Sequence, residues 1–337
     1  MRMAIQRIRP SKSVSIDVSR LRSCLVSARH EGNLHPERSR RVSEVEGLVI
    51  VRDIEFEKIA ETVESLCMSA GYELPEDVLT VLEDAARNES NPGAARILNQ
   101  LIENARIAKD ERIPLCQDTG LAVVFVEQGS QVAVKPPPSD GQLTLLDAIN
   151  AGVAAGFEKG YLRKSVVAEP LSQRLNTGTN TPAVIHHTLV PGEKLKLTVM
   201  TKGGGCENKS QFRMFRPTAE KEQIIDWIVD VVGSAGADAC PPFIVGVGIG
   251  GNFELSCLLS KKALCRNISE KNNDPFYAEL ESDLLSRINS LGVGPQGLGG
   301  DTTALACLVE TAACHIASLP VAVNIECHSH RHKAAII

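Results

Sequence analysis

Apolar residues recur at helical spacing in three consecutive segments that begin shortly after residue 51. The first spans residues 56–71, the second begins after Pro75, and the third follows Asn91-Pro-Gly93. A repeat of three to four residues puts the apolar side chains on one face of a helix, and glycine or proline marks its ends. The pattern therefore predicts three amphipathic helices that form an N-terminal helical cap.

Beyond residue 120 the pattern changes to short apolar runs alternating with longer amphipathic segments. The runs 183–190 and 194–201 are separated by Pro191-Gly192, which predicts a β-hairpin. Further strands are predicted over 121–126, 243–247, 303–308 and 321–325, and further helices over 143–160, 219–232, 252–264 and 275–290. The chain is therefore expected to adopt a mixed α/β (α+β) fold, with the helical cap on a catalytic domain of mixed β-strands.

Residues 1–50 differ in character from the rest of the chain. They are rich in arginine and serine, carry ten Lys and Arg against five Asp and Glu, and show no apolar periodicity. We expect this segment to be a disordered N-terminal extension, or upstream sequence translated ahead of the natural start. The predicted domain organisation is then an extension over 1–50, one catalytic domain over 51–330 and a tail over 331–337.

Composition narrows the range of partners and compartments. The acidic body, with a chain net charge of -5 and 4% aromatic residues, argues against nucleic acid as a partner. No apolar run approaches the roughly 18 residues of a membrane-spanning helix, so no membrane partner is expected. Ten cysteines without a hydrophobic signal segment indicate a reducing, cytoplasmic setting, where cysteines serve as core residues, nucleophiles or metal ligands.

The segment Pro114-Leu-Cys-Gln-Asp-Thr-Gly120 is the first candidate for chemistry. It puts Cys116 two residues from Asp118, immediately before the predicted buried strand at 121–126. A strand end is a rigid support for reactive side chains. Taken alone, the pair is equally typical of a structural cysteine and a turn aspartate.

Two other motifs suggest different chemistry. Gly246-Val-Gly-Ile-Gly-Gly251 satisfies the dinucleotide-binding pattern after a strand, although an acidic residue is not convincingly placed about 20 residues later. A nucleotide-dependent oxidoreductase is therefore one alternative. The histidines at 328, 330 and 332 could bind zinc, or they could belong to a solvated tail or an interface.

Five short motifs occur together and in order, and their combination is far more specific than any one of them. They are the segment at 114–120, Asn176-Thr-Gly-Thr-Asn180, Lys202-Gly-Gly-Gly205 with Asn208-Lys209, Ala239-Cys-Pro-Pro242 and Gly294-Pro-Gln-Gly-Leu-Gly-Gly-Asp301. On these motifs the chain closely resembles the α-subunit, or N-terminal catalytic domain, of class I iron–sulfur fumarate hydratases and L-tartrate dehydratases. The resemblance covers about residues 53–330.

The resemblance implies a [4Fe–4S] cluster held by three cysteines, with one iron left free for substrate. By motif matching, the ligands are Cys116, Cys240 and Cys327. Ligation by cysteine alone would need four residues, so three leave the open position that a Lewis acid requires. The other cysteines of this region are expected to be core or near-site residues: Cys206, Cys257, Cys265, Cys307 and Cys314.

The resemblance also implies roles for five more residues. Asp118 matches a proton-transfer residue, and Gln117 and Gly205 match positions that contact substrate. Arg163 matches an arginine that binds a substrate carboxylate, which suits a dicarboxylate because guanidinium pairs with it bidentately. His315 matches a catalytic-site histidine, with a buried core histidine as the alternative.

The function implied is that of the α-subunit of a hydro-lyase that interconverts fumarate and (S)-malate. L-tartrate dehydratase, which yields oxaloacetate, is the alternative within this class, and a non-catalytic scaffold is an alternative outside it. The family has a second catalytic part, in a β-subunit or a C-terminal domain, and the sequence ends about ten residues after Cys327. We therefore expect half an active site that is completed by a β-subunit in an α2β2 hetero-oligomer.

Overall fold

The computed structural model describes residues 51–337, so the disorder expected for residues 1–50 lies outside the described residues. The helices are α1 (Phe56–Tyr72), α2 (Glu76–Asn88), α3 (Pro92–Glu111), α4 (Leu145–Lys159), the single turn α5 (Gly204–Glu207), α6 (Lys221–Ala235), α7 (Phe253–Ala263) and α8 (Pro275–Asn289). The strands are β1 (Arg52–Glu55), β2 (Leu121–Gly129), β3 (Val132–Lys135), β4 (Val184–Val190), β5 (Leu195–Lys202), β6 (Gln211–Phe215), β7 (Phe243–Gly250), β8 (Ala304–Ala312), β9 (Leu319–Glu326) and β10 (His332–Ile336).

The three predicted cap helices form at the expected places. Helix α3 begins where Asn91 accepts hydrogen bonds from the backbone N–H groups of Gly93 and Ala94, which would otherwise lack partners. Helix α1 packs closely against α4 at Gly152. A Cβ added at Gly152 would lie 2.4 Å from the Ala60 carbonyl oxygen, so the close contact depends on glycine. The cap is therefore fixed by local capping and by glycine at the helix contact.

The first large sheet has the strand order β10-β5-β2-β4. Strand β2 lies in the middle, antiparallel to β5 and parallel to β4. The predicted hairpin of β4 and β5 is therefore wrong, although both strands exist. Each of them pairs with the almost fully buried β2, which has a neighbour on both edges instead of one.

The second sheet has the order β6-β9-β7-β8, with β7 parallel to β8 and antiparallel to β9. Helix α7 packs directly on β7. A Cβ at Gly246 would lie 2.0 Å from the Ser260 carbonyl oxygen, and one at Gly248 would lie 2.0 Å from that of Ser256. The glycines that matched a dinucleotide-binding pattern are thus needed for strand–helix packing, which leaves no room there for a cofactor.

The last residues form strand β10, which pairs with β5 from His332 to Ile336. His330 and Arg331 are fully buried just before it. The tail predicted over 331–337 thus includes a strand, and the interpretation of the three histidines as solvated is wrong for His330, which is 0% exposed. The short alternation of histidines was too weak a signal to reveal a strand at the sheet edge.

Two connections carry the chain from one large sheet to the other. Residues 203–210 join β5 to β6, and residues 327–331 join β9 to β10. The backbone N–H of Thr201 donates to the Arg331 carbonyl, so the two connections lie side by side. The fold is the expected mixed α/β type, and no helix in residues 51–337 is long and apolar enough to cross a membrane.

Candidate active site

The cysteine motifs converge at the junction where the two connections cross between the sheets. Cys116 precedes β2, Cys240 precedes β7 and Cys327 follows β9. Strand pairing brings these ends together, because Ile244 of β7 lies opposite Glu326 of β9. Residues separated by more than 200 positions thereby share one edge of the fold.

The three cysteines predicted as ligands differ in burial. Cys327 is buried, Cys116 is half-buried and Cys240 is exposed. Partial burial raises the pKa of the Cys240 thiol, and the nearby thiols of Cys116 and Cys206 raise it further. The Cys240 carbonyl also accepts a hydrogen bond of 3.4 Å from the His328 backbone N–H, which ties its loop to the end of β9.

Cys206, which was expected not to be a ligand, lies closest to Cys327. Donor atoms of Cys206, Glu326 and Cys327 all lie within 4.8 Å of one another, and all three residues are buried. A hydrogen bond from Cys327 lowers the pKa of the Cys206 thiol, and the same bond raises the pKa of Cys327. The site therefore contains a fourth thiol beside the three that the motifs predicted.

A buried lysine lies under this group of thiols. The Lys202 ammonium donates to the Ile325 carbonyl at 2.7 Å and lies 3.1 Å from the Cys206 sulfur and 3.4 Å from the Glu326 carboxylate. Burial opposes its charge, but the carboxylates of Glu326 and Glu207 and the sulfur of Cys206 together outweigh that cost and raise the pKa of Lys202 above its usual value. Lys202 is a permanent positive charge at the base of the site.

Asp118 is held by backbone and side-chain contacts on both of its polar groups. Its carboxylate accepts a hydrogen bond of 2.8 Å from the Gly204 backbone N–H, and its carbonyl accepts one of 2.8 Å from the Arg331 guanidinium. A Cβ at Gly203 would lie 3.3 Å from the Asp118 carboxylate, so a larger residue would crowd it. The glycine loop therefore positions Asp118, and exposed Gly205 leaves the adjoining space open.

The predicted substrate-binding residues lie on the open side of the same loop. Gln117 is exposed, with its side-chain oxygen 3.6 Å from the Cys116 sulfur. Arg163 is also exposed, its backbone N–H donates to the Thr119 hydroxyl at 3.2 Å, and its guanidinium pairs with no carboxylate of residues 51–337. Buried Asn180 donates to the Gly120 carbonyl at 3.0 Å and thereby holds the Arg163 loop beside Asp118.

His315 is not brought to this group within one chain. It lies in the loop between β8 and β9, where its Nδ1 accepts from the Ala317 backbone N–H at 3.1 Å. That loop adjoins the carboxyl end of β7, whereas Cys240 precedes the amino end, roughly 23 Å away along an eight-residue strand. His315 would have to come from another copy of the chain to take part in the site.

Four residues of the site were not predicted from the sequence: Asn180, Lys202, Glu326 and Arg331. Asn180 and Lys202 belong to two of the five motifs, but no role was assigned to either residue. Glu326 ends the apolar run of β9, and a charge at the end of a buried strand is the signal that could have drawn attention to it. Arg331 carried no such signal.

The donor set is compatible with an iron–sulfur cluster. Thiolates are the usual ligands of such clusters, and Cys116, Cys240 and Cys327 reach the junction from three different elements. Their graded burial gives the group a closed side toward β9 and an open side toward Gln117 and Arg163. Residues 51–337 form no disulfide that would remove any of these thiols.

Comparison with known proteins agrees with this arrangement. The family model for fumarate hydratase (Fumerase) matches residues 60–336. The putative L(+)-tartrate dehydratase subunit alpha of Methanocaldococcus jannaschii is 39% identical over 278 residues, which cover 81% of this chain and 95% of that protein. The L(+)-tartrate dehydratase subunit alpha of Escherichia coli O157:H7 is 30% identical over 282 residues, covering 83% and 91%. The chain therefore belongs to the fumarate hydratase (Fumerase) family of hydro-lyases.

Proposed function

We propose that this chain is the α-subunit of an iron–sulfur hydro-lyase that dehydrates L(+)-tartrate to oxaloacetate. The observation that carries the proposal is the convergence of three cysteines, Asp118 and the unpaired guanidinium of Arg163 at one junction. The names of the similar proteins favour tartrate, and the matched regions cover 95% and 91% of those proteins and 81% and 83% of this chain. Fumarate hydration is the second candidate, because the matching family model carries that name.

Both candidate substrates are four-carbon dicarboxylates, which suits the exposed charge of Arg163. A guanidinium binds a carboxylate through two parallel hydrogen bonds and so fixes its orientation as well as its position. Gln117 follows Cys116 directly in the loop before β2, and its side-chain amide can form a hydrogen bond with a second substrate oxygen. The exposed backbone of Gly205 lets a ligand approach closely.

Cys116, Cys240 and Cys327 would hold a [4Fe–4S] cluster. When bound, the cluster supplies one iron with an open position, which acts as a Lewis acid toward the substrate hydroxyl. The protein surrounds this position with a fixed positive charge at Lys202 and a fixed carboxylate at Asp118. Asp118 is the group we assign to proton transfer, because its geometry is set by Gly204 and Arg331 rather than by solvent.

The reaction removes a hydroxyl group and a proton from adjacent carbons, so water leaves without a net change of oxidation state. A dicarboxylate has two charged ends, and Arg163 is the one cation among the predicted substrate-binding residues. Its guanidinium pairs with no carboxylate of residues 51–337. We therefore propose that a β-subunit supplies the second carboxylate site, in an α2β2 assembly located in the cytoplasm. The names of the relatives as alpha subunits support the partner, and the free thiols support a reducing compartment.

The substrate assignment is tested by assaying the cluster-loaded α- and β-chains together under anaerobic conditions. We expect oxaloacetate to form from L(+)-tartrate with a larger kcat/KM than that for malate formation from fumarate. The reverse ratio would replace tartrate by fumarate as the substrate. Turnover of neither dicarboxylate would contradict the proposed function as a whole.

The ligand assignment is tested separately by iron content. Replacing Cys116, Cys240 or Cys327 by serine should each reduce the iron bound after reconstitution, because serine is a poor substitute for thiolate. Cys206→Ser is the matched control, since it removes a buried thiol of the same site without removing a proposed ligand. Full iron content in Cys240→Ser would show that the cluster is held elsewhere.

A further inference from the structure

The three donor groups closest together in the site are not the three proposed cluster ligands. They are Cys206, Glu326 and Cys327, whose donor atoms lie within 4.8 Å of one another. The Glu326 carboxylate is fully buried, and its Oε2 makes no hydrogen bond within residues 51–337. Its Oε1 contacts only the two sulfurs, at 3.5 Å from Cys206 and 3.8 Å from Cys327. Oε2 has the Lys202 ammonium 3.4 Å away as its ion-pair partner. A buried carboxylate held only by this ion pair and by weak contacts with sulfur is an observation that calls for a ligand.

The distances match the coordination of a single metal ion. Tetrahedral bonds of about 2.3 Å to sulfur and about 2.1 Å to oxygen separate the sulfur and oxygen donors by roughly 3.6 Å. The measured separations are 3.5 Å and 3.8 Å. Little movement would therefore be needed for one ion to bind all three groups.

The same closeness argues against Cys206 and Cys327 as joint cluster ligands. Cysteines that bind a [4Fe–4S] cluster each bind a different iron, so an iron–iron edge separates their points of attachment. The sulfurs of Cys206 and Cys327 instead lie within 4.8 Å of each other, and both contact the same oxygen of Glu326. Their arrangement fits one shared ion better than two irons of one cluster.

Charge is balanced with such an ion in place. A divalent cation, two thiolates and one carboxylate carry a net charge of minus one, which the Lys202 ammonium cancels from 3.4 Å away. The adjoining pair of Glu207 and Lys261, in contact at 2.5 Å, is neutral by itself. Binding releases the two thiol protons to solvent, so a divalent ion adds no net charge to the buried junction.

We propose that Cys206, Glu326 and Cys327 bind one thiophilic divalent cation, of the Zn²⁺ class, in the chain that has not yet received its cluster. Two sulfurs and one oxygen form a donor set suited to Zn²⁺, Co²⁺ or Fe²⁺ and poorly suited to Mg²⁺ or Ca²⁺. Cys327 belongs to both sites, so the single ion and the cluster exclude each other. Only the mutual exclusion of ion and cluster rests on the proposed function.

The proposal is tested by titrating the cluster-free full-length chain with Co²⁺, whose thiolate complexes absorb light, and then displacing it with Zn²⁺. We expect one Co²⁺ per chain, with at least tenfold weaker binding in Cys206→Ser and in Glu326→Gln. Cys116→Ser should bind as tightly as the unchanged chain, and exposed Cys314→Ser serves as the matched control. Circular dichroism checks that each variant is folded. If Glu326→Gln does not fold, the result for Cys206→Ser alone decides the test.

The outcomes separate the possible sites. Binding lost in Cys116→Ser but kept in Cys206→Ser would mean that the ion uses the proposed cluster cysteines, and would overturn the proposal. Absence of stoichiometric Co²⁺ binding would overturn it as well. Exclusivity is measured by reconstituting the Zn²⁺-loaded chain with iron and sulfide, which should release one Zn²⁺ for each cluster formed. Retention of Zn²⁺ beside a full cluster would contradict the shared use of Cys327.

Discussion

At the scale of single residues, Arg331 is a distant side chain that holds Asp118, the residue proposed to transfer the proton. It is 1% exposed, and its guanidinium donates to the carbonyl of Asp118. Small displacements of a reacting group cost large factors in rate, because the barrier depends on orientation. Arg331 is therefore a positioning residue for Asp118.

Replacing Arg331 by lysine should lower kcat of the assembled α- and β-chains by about 100-fold, because the ammonium cannot reproduce the geometry of the guanidinium. Iron content should stay close to that of the unchanged protein, since Arg331 is not a proposed ligand. Arg96→Lys, at an exposed position of α3, is the control and should leave kcat unchanged. Unchanged turnover in Arg331→Lys would show that Asp118 does not need this contact.

The sequence could predict some of these residues but not others, for a physical reason. Cys116 and Asp118 were identified because they stand in a short motif, and Arg163 because the family resemblance assigns an arginine there. The structure places all three around the start of β2. Glu326 and Arg331 act through contacts with residues about 120 and 210 positions away, at Cys206 and Asp118. Contacts of that separation leave no local pattern. His315 remains a prediction, and one chain alone does not bring it to the site.

At the scale of elements, the segment leading into β10 carries buried histidines that should make the fold sensitive to acid. Burial lowers the pKa of His330 to about 4 and that of His332 to about 3. The positive charges of Lys202 and Arg331 lower the first further, and His330 lowers the second. Both histidines are therefore neutral in the folded chain under conditions where they would be protonated in the unfolded chain.

Because the folded pKa values lie below the usual 6.5, the unfolded state binds more protons in this range. The stabilisation is complete above pH 6.5 and is lost as the pH falls toward 4 and then 3. Lowering the pH from 7.5 to 5 should reduce the free energy of unfolding by about 2 kcal/mol for each of the two histidines. Urea titrations at the two pH values measure this loss. The double variant His330→Gln, His332→Gln should flatten the dependence, and exposed His187→Gln should not.

Helix α7 and strand β7 provide a second test at this scale. Gly246→Ala should destabilise the fold by about 1–3 kcal/mol, because the new methyl group would overlap the Ser260 carbonyl. Gly233→Ala in α6 should instead stabilise it by up to about 1 kcal/mol, because its Cβ would meet Leu291 at an ordinary 3.6 Å. Denaturant unfolding measures both changes. Equal effects of the two substitutions would refute the packing role of Gly246.

Helices and strands with a long apolar periodicity were predicted well. Features that depend on which strands pair were predicted poorly. The cap helices and strands β2, β7 and β9 appear where the apolar pattern placed them. The hairpin was wrong because sequence proximity favours pairing of neighbours, whereas the mostly buried β2 pairs with β4 on one edge and with β5 on the other. Strand β10 was missed because its pairing with β5 is not visible in a five-residue segment.

At the scale of the whole molecule, the site has one open side that residues 51–337 do not cover. Arg163 and Gln117 are exposed there, next to half-buried Cys116. A dicarboxylate bound by one end only would leave a charge without a partner when the site closes. The partner subunit is therefore expected to complete substrate binding and to shield the cysteines.

The cluster-loaded α-chain alone should turn over tartrate and fumarate negligibly, and addition of the β-chain should restore activity. Absorbance assays under anaerobic conditions, with and without the β-chain, measure the difference. Air should also bleach the cluster faster in the lone chain, with bovine serum albumin in place of the β-chain as a control for added protein. Equal rates with and without the β-chain would show that the α-chain holds a complete site.

The double crossing between the sheets also sets the order of events during synthesis. Cys116 leaves the ribosome 211 residues ahead of Cys327, and the guanidinium that holds Asp118 follows four residues later still. Since contacts between distant positions form late in folding, no nascent chain shorter than about 331 residues can contain the assembled junction. The proposed cluster could therefore be bound only after residues up to about 331 have left the ribosome. Until then the thiols of Cys206 and Cys327 have no cluster beside them, and this interval is when a stray metal ion would find them.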